Sequence, residues 1–477
     1  MSELQPLLWA TKTAHDKSQR ATCERLQNCF LEKNPDGAIT PWKILGTPGK
    51  KFKVALGAGP YRGSTILNGT LFVVSGTSLY SVDSNWLGTS IGAVPGVGPC
   101  PMCANDSAGG GVGQLFMATN AGSYFYSAGT GLIVQVDANV YSSVTAQDGY
   151  AIAALANSQM FYVTNVDDFS TIGALSYSSA DAYNGAVMAG FSCNRIVTFF
   201  GRDFLSAYAN SGNANKPFAL INGSTLEIGC GASLSPAADL SSGTVDFLAS
   251  DWSVQTYQPG GGARPISTPG IESWIRRRVQ PQLGQGIRHR SEGHDFYVLT
   301  WRDGTIAYDH ASGLWHDRVS WAAPNWSASG HIRVYGDDVV GDDTNGNLYA
   351  LDPDTFTDAT AIDASTPIVR EIQPPPVHGN GNRVIMDEVR LEAEMGVGLD
   401  GSVSGCDPQV SLSWSDDAGK TFGNQLIRSL GKGGDYGLLA SWNRLGQFKR
   451  RTLKFSISDP IKIALMGAYW RGDLCNG

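Results

Sequence analysis

Three clusters of side chains have the types and spacing that chemistry requires. Ser415, Asp417, Gly419, Thr421 and Phe422 fit the Asp-box pattern S-x-D-x-G-x-T-[W/F]. In that pattern the Asp417 carboxylate can accept backbone N–H groups across a hairpin turn, Gly419 allows positive φ, and Phe422 anchors the strand. It is a folding device. Asp337, Asp338, Asp342 and Asp343 place four carboxylates around Val339-Val340-Gly341. Hard oxygen ligands at that density could hold calcium, but the spacing matches neither an EF-hand nor a glycine-rich calcium repeat, so turn carboxylates facing solvent are the expectation. Cys100-Pro-Met-Cys103 has CxxC spacing but lies in a Pro/Gly loop, with no second pair at zinc-finger distance.

The remaining candidates are basic. Ile275-Arg276-Arg277-Arg278-Val279, Arg288-His289-Arg290 and Lys449-Arg450-Arg451 could meet DNA phosphate or an acidic subunit face, or lie solvated with salt bridges. Arg276, Arg277, Arg278, Lys449, Arg450 and Arg451 are therefore the candidate subunit- or DNA-contact residues. None of the seven His falls in HxxxH, and no G-x-S-x-G, P-loop or dinucleotide fingerprint occurs in a strand-to-helix context. No catalytic, cofactor-binding or metal-binding residue is expected, and no cofactor. The competing reading is a glycan-binding or sialidase-like β-propeller, but a hydrolase of that type needs a spatial cluster of arginines with a Tyr and acidic partners, which one Asp box does not supply.

The elements that must carry these residues read as strands. Gly293 to Val319 is the clearest unit: Phe296–Trp301, a turn at Arg302-Asp303-Gly304, Thr305–Asp309, a second turn at Ser312-Gly313, then Leu314-Trp315-His316. A lone meander has two open edges and little core, so it requires neighbours. Comparable units begin at Leu71, Leu115, Tyr150, Ile196, Val245, Phe296 and Val339, spaced 35 to 51 residues apart. Each reads as an apolar strand and a Gly/Asn/Asp turn, and most continue into a second strand ending in Tyr. This is the period of β-propeller blades, in which each small sheet buries its faces against the next. Six or seven blades are expected over 56–372, with a pair of β-sandwiches as the alternative fold. Tyr308 and Trp315 are the packing anchors of their blade.

Residues 1–55 read as an arm, with one helix over Ala14–Leu31 exposing Asp16, Arg20, Glu24 and Arg25, then an irregular extended path through three prolines. Past the Pro374-Pro375-Pro376 linker, 373–477 reads as a separate antiparallel β domain of about five longer strands. With 58 Gly in 477 residues, 16% charged residues and 10% aromatics, the composition is that of an all-β, turn-rich chain. The net charge of −8 argues against a protein whose main task is gripping nucleic acid, though it suits a wall past which DNA slides. No signal peptide or membrane span is read, and the eight scattered Cys suit free thiols in a cytoplasmically made protein.

The chain resembles the packaged-DNA stabilisation, or tail-hub and nozzle, proteins of short-tailed bacteriophages. The resemblance runs through LEKNPDGAITPWKILGTPG, NRIVTFFGRDFLSAYANSGNANKPFALINGSTLEIGCGA, ARPISTPGIESWI, GHDFYVLTW and YDHASGLWHDR. It continues in VVGDDTNGNLYALDPDTFTD, DEVRLEAEMGVG and DPQVSLSWSDDAGKTFGN, and ends in RLGQFKRRTLKFSISDP. It implies a non-enzymatic virion tail protein, assembled in the host cytoplasm as a homo-oligomer, a hexamer by family precedent. Its implied partners are the portal's adaptor (the head-tail connector), tail fibres or spikes, and a needle or plug. Double-stranded DNA would pass through the channel without sequence-specific binding, and the tail tip would meet the host envelope. The short Trp301–Gly304 turn and the Gly109-Gly110-Gly111 run depart from the family pattern, which bears on loop contacts.

Overall fold

The computed structural model describes residues 3–475 apart from 39, 181–183, 214–215 and 240–241. Among them, seven four-stranded antiparallel units follow one another: 61–93, 102–137, 141–179, 187–220, 237–265, 285–317, and 328–352 completed by the N-terminal strand Gly49–Ala55. We number these blades 1 to 7. Every unit start read from the sequence falls in the second strand of a blade, from Thr70–Ser75 in blade 1 to Asp337–Asp342 in blade 7.

Seven separate apolar cores show why these sheets form a ring. Each joins one blade to the next. Phe72 and Val74 meet Leu115 and Met117 between blades 1 and 2; Phe161 meets Phe199 between 3 and 4; Tyr297 and Trp315 meet Leu248 and Val254 between 5 and 6. The last core, Leu71 and Val73 with Val339 and Leu348, returns from blade 7 to blade 1 and closes the circle. A sheet with both faces covered and its neighbours on either side has no isolated edge to protect except at the rim.

The first strand of each blade lines the ring axis and is rich in Gly, Ser and Ala, as in Tyr61–Leu67 (YRGSTIL) and Tyr141–Gln147 (YSSVTAQ). Such strands carry little apolar signal. Their turns carry more: Asn68-Gly69, Asp148-Gly149, Asn194-Arg195, Glu292-Gly293 and Tyr335-Gly336 each place two consecutive residues at positive φ between the first and second strands. This is the two-residue turn whose twist matches that of a hairpin. In the clearest unit, the strands lie at His294–Trp301, Gly304–Asp309 and Leu314–Asp317, with Gln285–Ser291 as the additional inner strand.

The expected helix over Ala14–Leu31 is absent. That stretch holds the strands Arg25–Gln27 and Cys29–Lys33, and the supposedly exposed Glu24 is buried, accepting from Thr11 N and Lys12 N. The reason is tertiary: the strand Arg25–Gln27 fills a gap between two sheet edges, pairing with Leu314–Asp317 of blade 6 on one side and Arg370–Gln373 on the other. Unpaired edges cost more than a helix with modest propensity returns. The path expected to be irregular likewise forms the strands Trp42–Gly46 and Gly49–Ala55, the latter closing blade 7 from Asn347↔Ala55 to Asp352↔Gly49.

Blade 6 therefore continues through the Arg25–Gln27 strand into a ten-stranded sheet that includes Gln409–Ser415 and Arg450–Ile457. A second sheet, built on Arg383–Ala393 and Ala464–Cys475 with Cys29–Lys33 and Trp42–Gly46, packs across it to make a β-sandwich. Its core centres on Trp442, fully buried, whose Nε1 donates to Leu426 O at 2.7 Å. Propeller and sandwich are thus spliced by the N-terminal segment rather than hung on a free proline linker. The three prolines lie between Arg370–Gln373 and Val377–His378, both paired with Arg450–Ile457.

Candidate interaction cleft at the propeller–sandwich junction

Of the chemical candidates, the Asp box is a turn. Asp417 Oδ1 accepts from Lys420 N (2.9 Å) and Thr421 N (3.0 Å), Oδ2 from Thr421 Oγ1 (2.6 Å), and Gly419 has φ +81°. These bonds, led by those from the Ser415 and Thr421 hydroxyls, hold its carboxyl well below the usual carboxylate range. The four aspartates between 337 and 343 disperse: Asp337 pairs with Lys53, Asp338 with His331 at 3.0 Å, Asp342 caps the Thr344 turn, and Asp343 faces the ring axis. Among the described residues, no group of three or more His, Cys, Asp or Glu could hold a metal ion. Cys100 and Cys103 lie in different inter-blade cores, Cys100 between blades 1 and 2 and Cys103 between 2 and 3, with burial pushing the Cys100 thiol up to about 12. The side chains of all seven described cysteines are free thiols; that of Cys475 lies outside the described residues.

The basic clusters divide by role. Arg288 is buried between blades, bridging Asp246 of blade 5 (3.0 Å) and Asp295 (2.7 Å), while His310 also reaches Asp246 at 2.8 Å. Arg276, Arg277 and Arg278 end the one two-turn helix among the described residues, Pro269–Arg276 (α1), which Thr268 caps and whose Ile271 and Ile275 enter the core between blades 5 and 6. Arg276 donates to Asp251 O. Arg278 stacks 3.9 Å over Trp274 and binds Asp303. Arg451 is 3% exposed, bidentate to Asp416 (2.8 Å twice) and packed over Phe448 and Trp414. It fixes the Asp-box turn on the sandwich sheet and is not presented to a partner. Arg277, Lys449 and Arg450 remain exposed or partly so.

Those three, remote in sequence, line one cleft of about 970 Å³ where propeller, N-terminal segment and sandwich meet. Lys17, Arg20 and Lys420 complete its cationic lining; Asp16, Asp416 and Asp417 are its carboxylates. Arg277 is held by Ser273 O (3.0 Å) and Ser273 Oγ (3.1 Å), and Arg450 donates to Arg20 O. A second cavity, about 420 Å³, adjoins the first below His15, Trp274 and Phe422. Lys17 and Arg20 escape a sequence reading because they sit on what looks like a helix face; their signal was only the local run Asp16-Lys17-Ser18-Gln19-Arg20.

The ring axis itself holds a cavity of about 420 Å³ lined by Tyr61, Arg62, Met102, Gln285, His331 and Asp343 among others. No helix among the described residues is long and apolar enough to cross a membrane.

Two family models match in succession: "Bacteriophage P22 Gp10, beta-propeller" over residues 44–356, and "Bacteriophage P22 Gp10, beta-sandwich" over residues 370–473. No curated protein matches the chain. Among solved structures it is similar to a streptogramin B lyase (10% identity, TM-score 0.44, 68% of this chain and 98% of that one). It is also similar to the extracellular domain of the putative hybrid two-component system BT4673 from B. thetaiotaomicron (12%, 0.45, 64% and 39%) and to the computationally designed Ika8 protein (12%, 0.36, 63% and 99%). Likenesses at that level carry nothing about activity. The propeller and the sandwich, matched in order and over nearly the whole chain, place it in the bacteriophage P22 Gp10 family of packaged-DNA stabilisation and tail nozzle proteins, structural components of the phage virion.

Proposed function

We propose that this chain forms a ring below the portal and its adaptor, extends the DNA channel, helps retain the packaged genome, and offers attachment for fibres or spikes and for a plug. The observation that carries this reading is the family match over both domains, in a chain whose propeller and sandwich share one continuous sheet. A stiff body of that kind suits a wall element. The propeller's own axis does not suit passage of DNA: its cavity is about 420 Å³, whereas the major groove of a duplex alone is about 12 Å wide. The channel in this reading therefore lies between copies. A net charge of −8 suits a wall that lets phosphate slide by. Six copies follow from family precedent.

Cryo-EM of purified virion tails tests the reading. The expected density is a closed ring of this chain on the tail axis, beneath the adaptor. Density off the axis, or a purified chain that stays monomeric by mass photometry when mixed with its adaptor, overturns it.

A further inference from the structure

We propose that the junction cleft is a docking site for an extended acidic segment of a partner protein. In a chain with a net charge of −8, six cationic side chains converge there: Lys17, Arg20, Arg277, Lys420, Lys449 and Arg450. They come from four stretches of chain brought together only by folding. The cleft's carboxylates are already engaged. Asp416 is neutralised by Arg451, Asp417 accepts from its own turn, and Asp16 accepts from Ser18 N at 2.7 Å. Arg451 is thus the cation that leaves the other six unbalanced. Lys17, Lys420 and Lys449 have no ion-pair partner among the described residues. Concentrated, unmatched positive charge on an acidic protein raises both the local attraction and the on-rate for a negative partner.

The arrangement favours a peptide over nucleic acid. A phosphate backbone carries one charge about every 3.4 Å along each strand, uniformly. Three carboxylates set among the cations repel such a line, whereas an extended peptide can place alternate side chains, about 7 Å apart, on the cations and keep neutral groups beside the aspartates. Size points the same way. At about 970 Å³ the cleft is at the top of the range that encloses one drug-sized ligand, and it does not admit a duplex. Arg277, anchored on Ser273, and Arg450, anchored on the Arg20 carbonyl, keep free N–H groups in fixed positions, which lowers the ordering cost of binding.

This inference does not rest on the ring and is tested on the isolated full-length chain. The probe is a fluorescent dodecapeptide alternating Asp and Glu with Ser and Gly, compared with its Asn/Gln analogue and with a short DNA duplex. Anisotropy should show salt-sensitive binding of the acidic peptide only, weakened about tenfold in the Lys420→Glu/Lys449→Glu double variant and measurably in Arg277→Gln. Far-UV circular dichroism verifies that these surface variants fold. Equal binding of the Asn/Gln analogue, or undiminished binding by the double variant, overturns the proposal. So does a duplex that binds more tightly than the peptide and is lost in the same variants, since that would make the cleft a nucleic-acid site.

Discussion

Replacing Asp317 by Asn should loosen the splice between propeller and sandwich. Asp317 is 2% exposed at the end of blade 6, where its carboxylate receives His15 Nε2 at 2.8 Å and Arg25 Nε at 2.5 Å. Burial alone would raise its pKa; the His15 and Arg25 charges overcome that and hold the carboxyl well below the usual range. Hydrogen bonds to a charged group contribute about 1.5–3 kcal/mol each. Arg25 is 39% exposed at its side chain and can be rehydrated once released, so the sum is discounted to about 2–3 kcal/mol. If that energy is local, amide hydrogens around Thr13, Ala14 and Asn28, which donate to Trp315 O, Glu24 O and Asp317 O, should exchange about 30- to 150-fold faster in the variant. The pH dependence has a definite sign. A depressed carboxylate contributes its full stabilisation above an unfolded pKa of about 3.9 and loses it as pH falls further, so the difference between wild type and Asp317→Asn should be complete at neutral pH and fade below about pH 4. Exchange within about threefold of wild type at those amides, or a difference that grows on acidification, would refute the account.

Asp246→Ala removes the carboxylate shared by Arg288, His310 and Thr256, leaving a buried guanidinium that keeps only Asp295; a cost of about 3–5 kcal/mol is expected, seen as a lower denaturation midpoint or loss of soluble protein. His316 is buried beside Arg318, and burial first, then that guanidinium, pushes its pKa down to about 3. It stays neutral when folded and protonates near 6.5 when unfolded, so it supports stability above 6.5 and draws it down as pH falls towards 3. His316→Gln should remove about 1.4 kcal/mol per pH unit from the acid-side slope, measured by urea unfolding between pH 6 and pH 4; an unchanged slope would count against it. His294 shifts the opposite way: burial lowers its pKa, but the Asp309 contact outweighs that, so its contribution is lost on raising pH. A chain lacking residues 1–55 should be insoluble, because blade 7 loses Gly49–Ala55 and the sandwich loses two strands; a soluble, cooperatively unfolding product would contradict the splice.

The propeller was legible because its second strands are apolar and recur with turns that need Gly, Asn or Asp; Thr70–Ser75 and Gln114–Thr119 carry that pattern almost undiluted. Its inner strands were not, since a strand facing a narrow axis needs small residues rather than large apolar ones, as YSSVTAQ shows. The N-terminal segment misled for a different reason. Ala14 to Leu31 has enough helix formers and enough apolar spacing to pass as amphipathic, and only the two sheet edges it bridges, more than 280 residues away in sequence, decide for a strand. The cleft lay beyond reach for the same cause. The Arg276–Arg278 and Lys449–Arg451 runs were visible, but nothing local says that Arg277 and Lys449 face one space while Arg276, Arg278 and Arg451 are spent on Asp251, Asp303 and Asp416.

That convergence bears on what the splice is for. Arg277 stands on a helix rooted in the core between blades 5 and 6, Lys449 and Arg450 on the sandwich, and Lys17 and Arg20 on the segment that joins them. No one of these parts carries the cleft. Had the two domains been connected by a flexible proline linker, the cations would separate and their mutual repulsion would favour separation. The continuous sheet holds them together against that repulsion, with Asp317 and Asp416 supplying the local countercharge at Arg25 and Arg451. Repulsion confined by a rigid frame is stored affinity for a negative partner. An occupant of the cleft would therefore stabilise the same junction that Asp317 secures, and the assembled chain presents the site only once both domains and the N-terminal segment are in place.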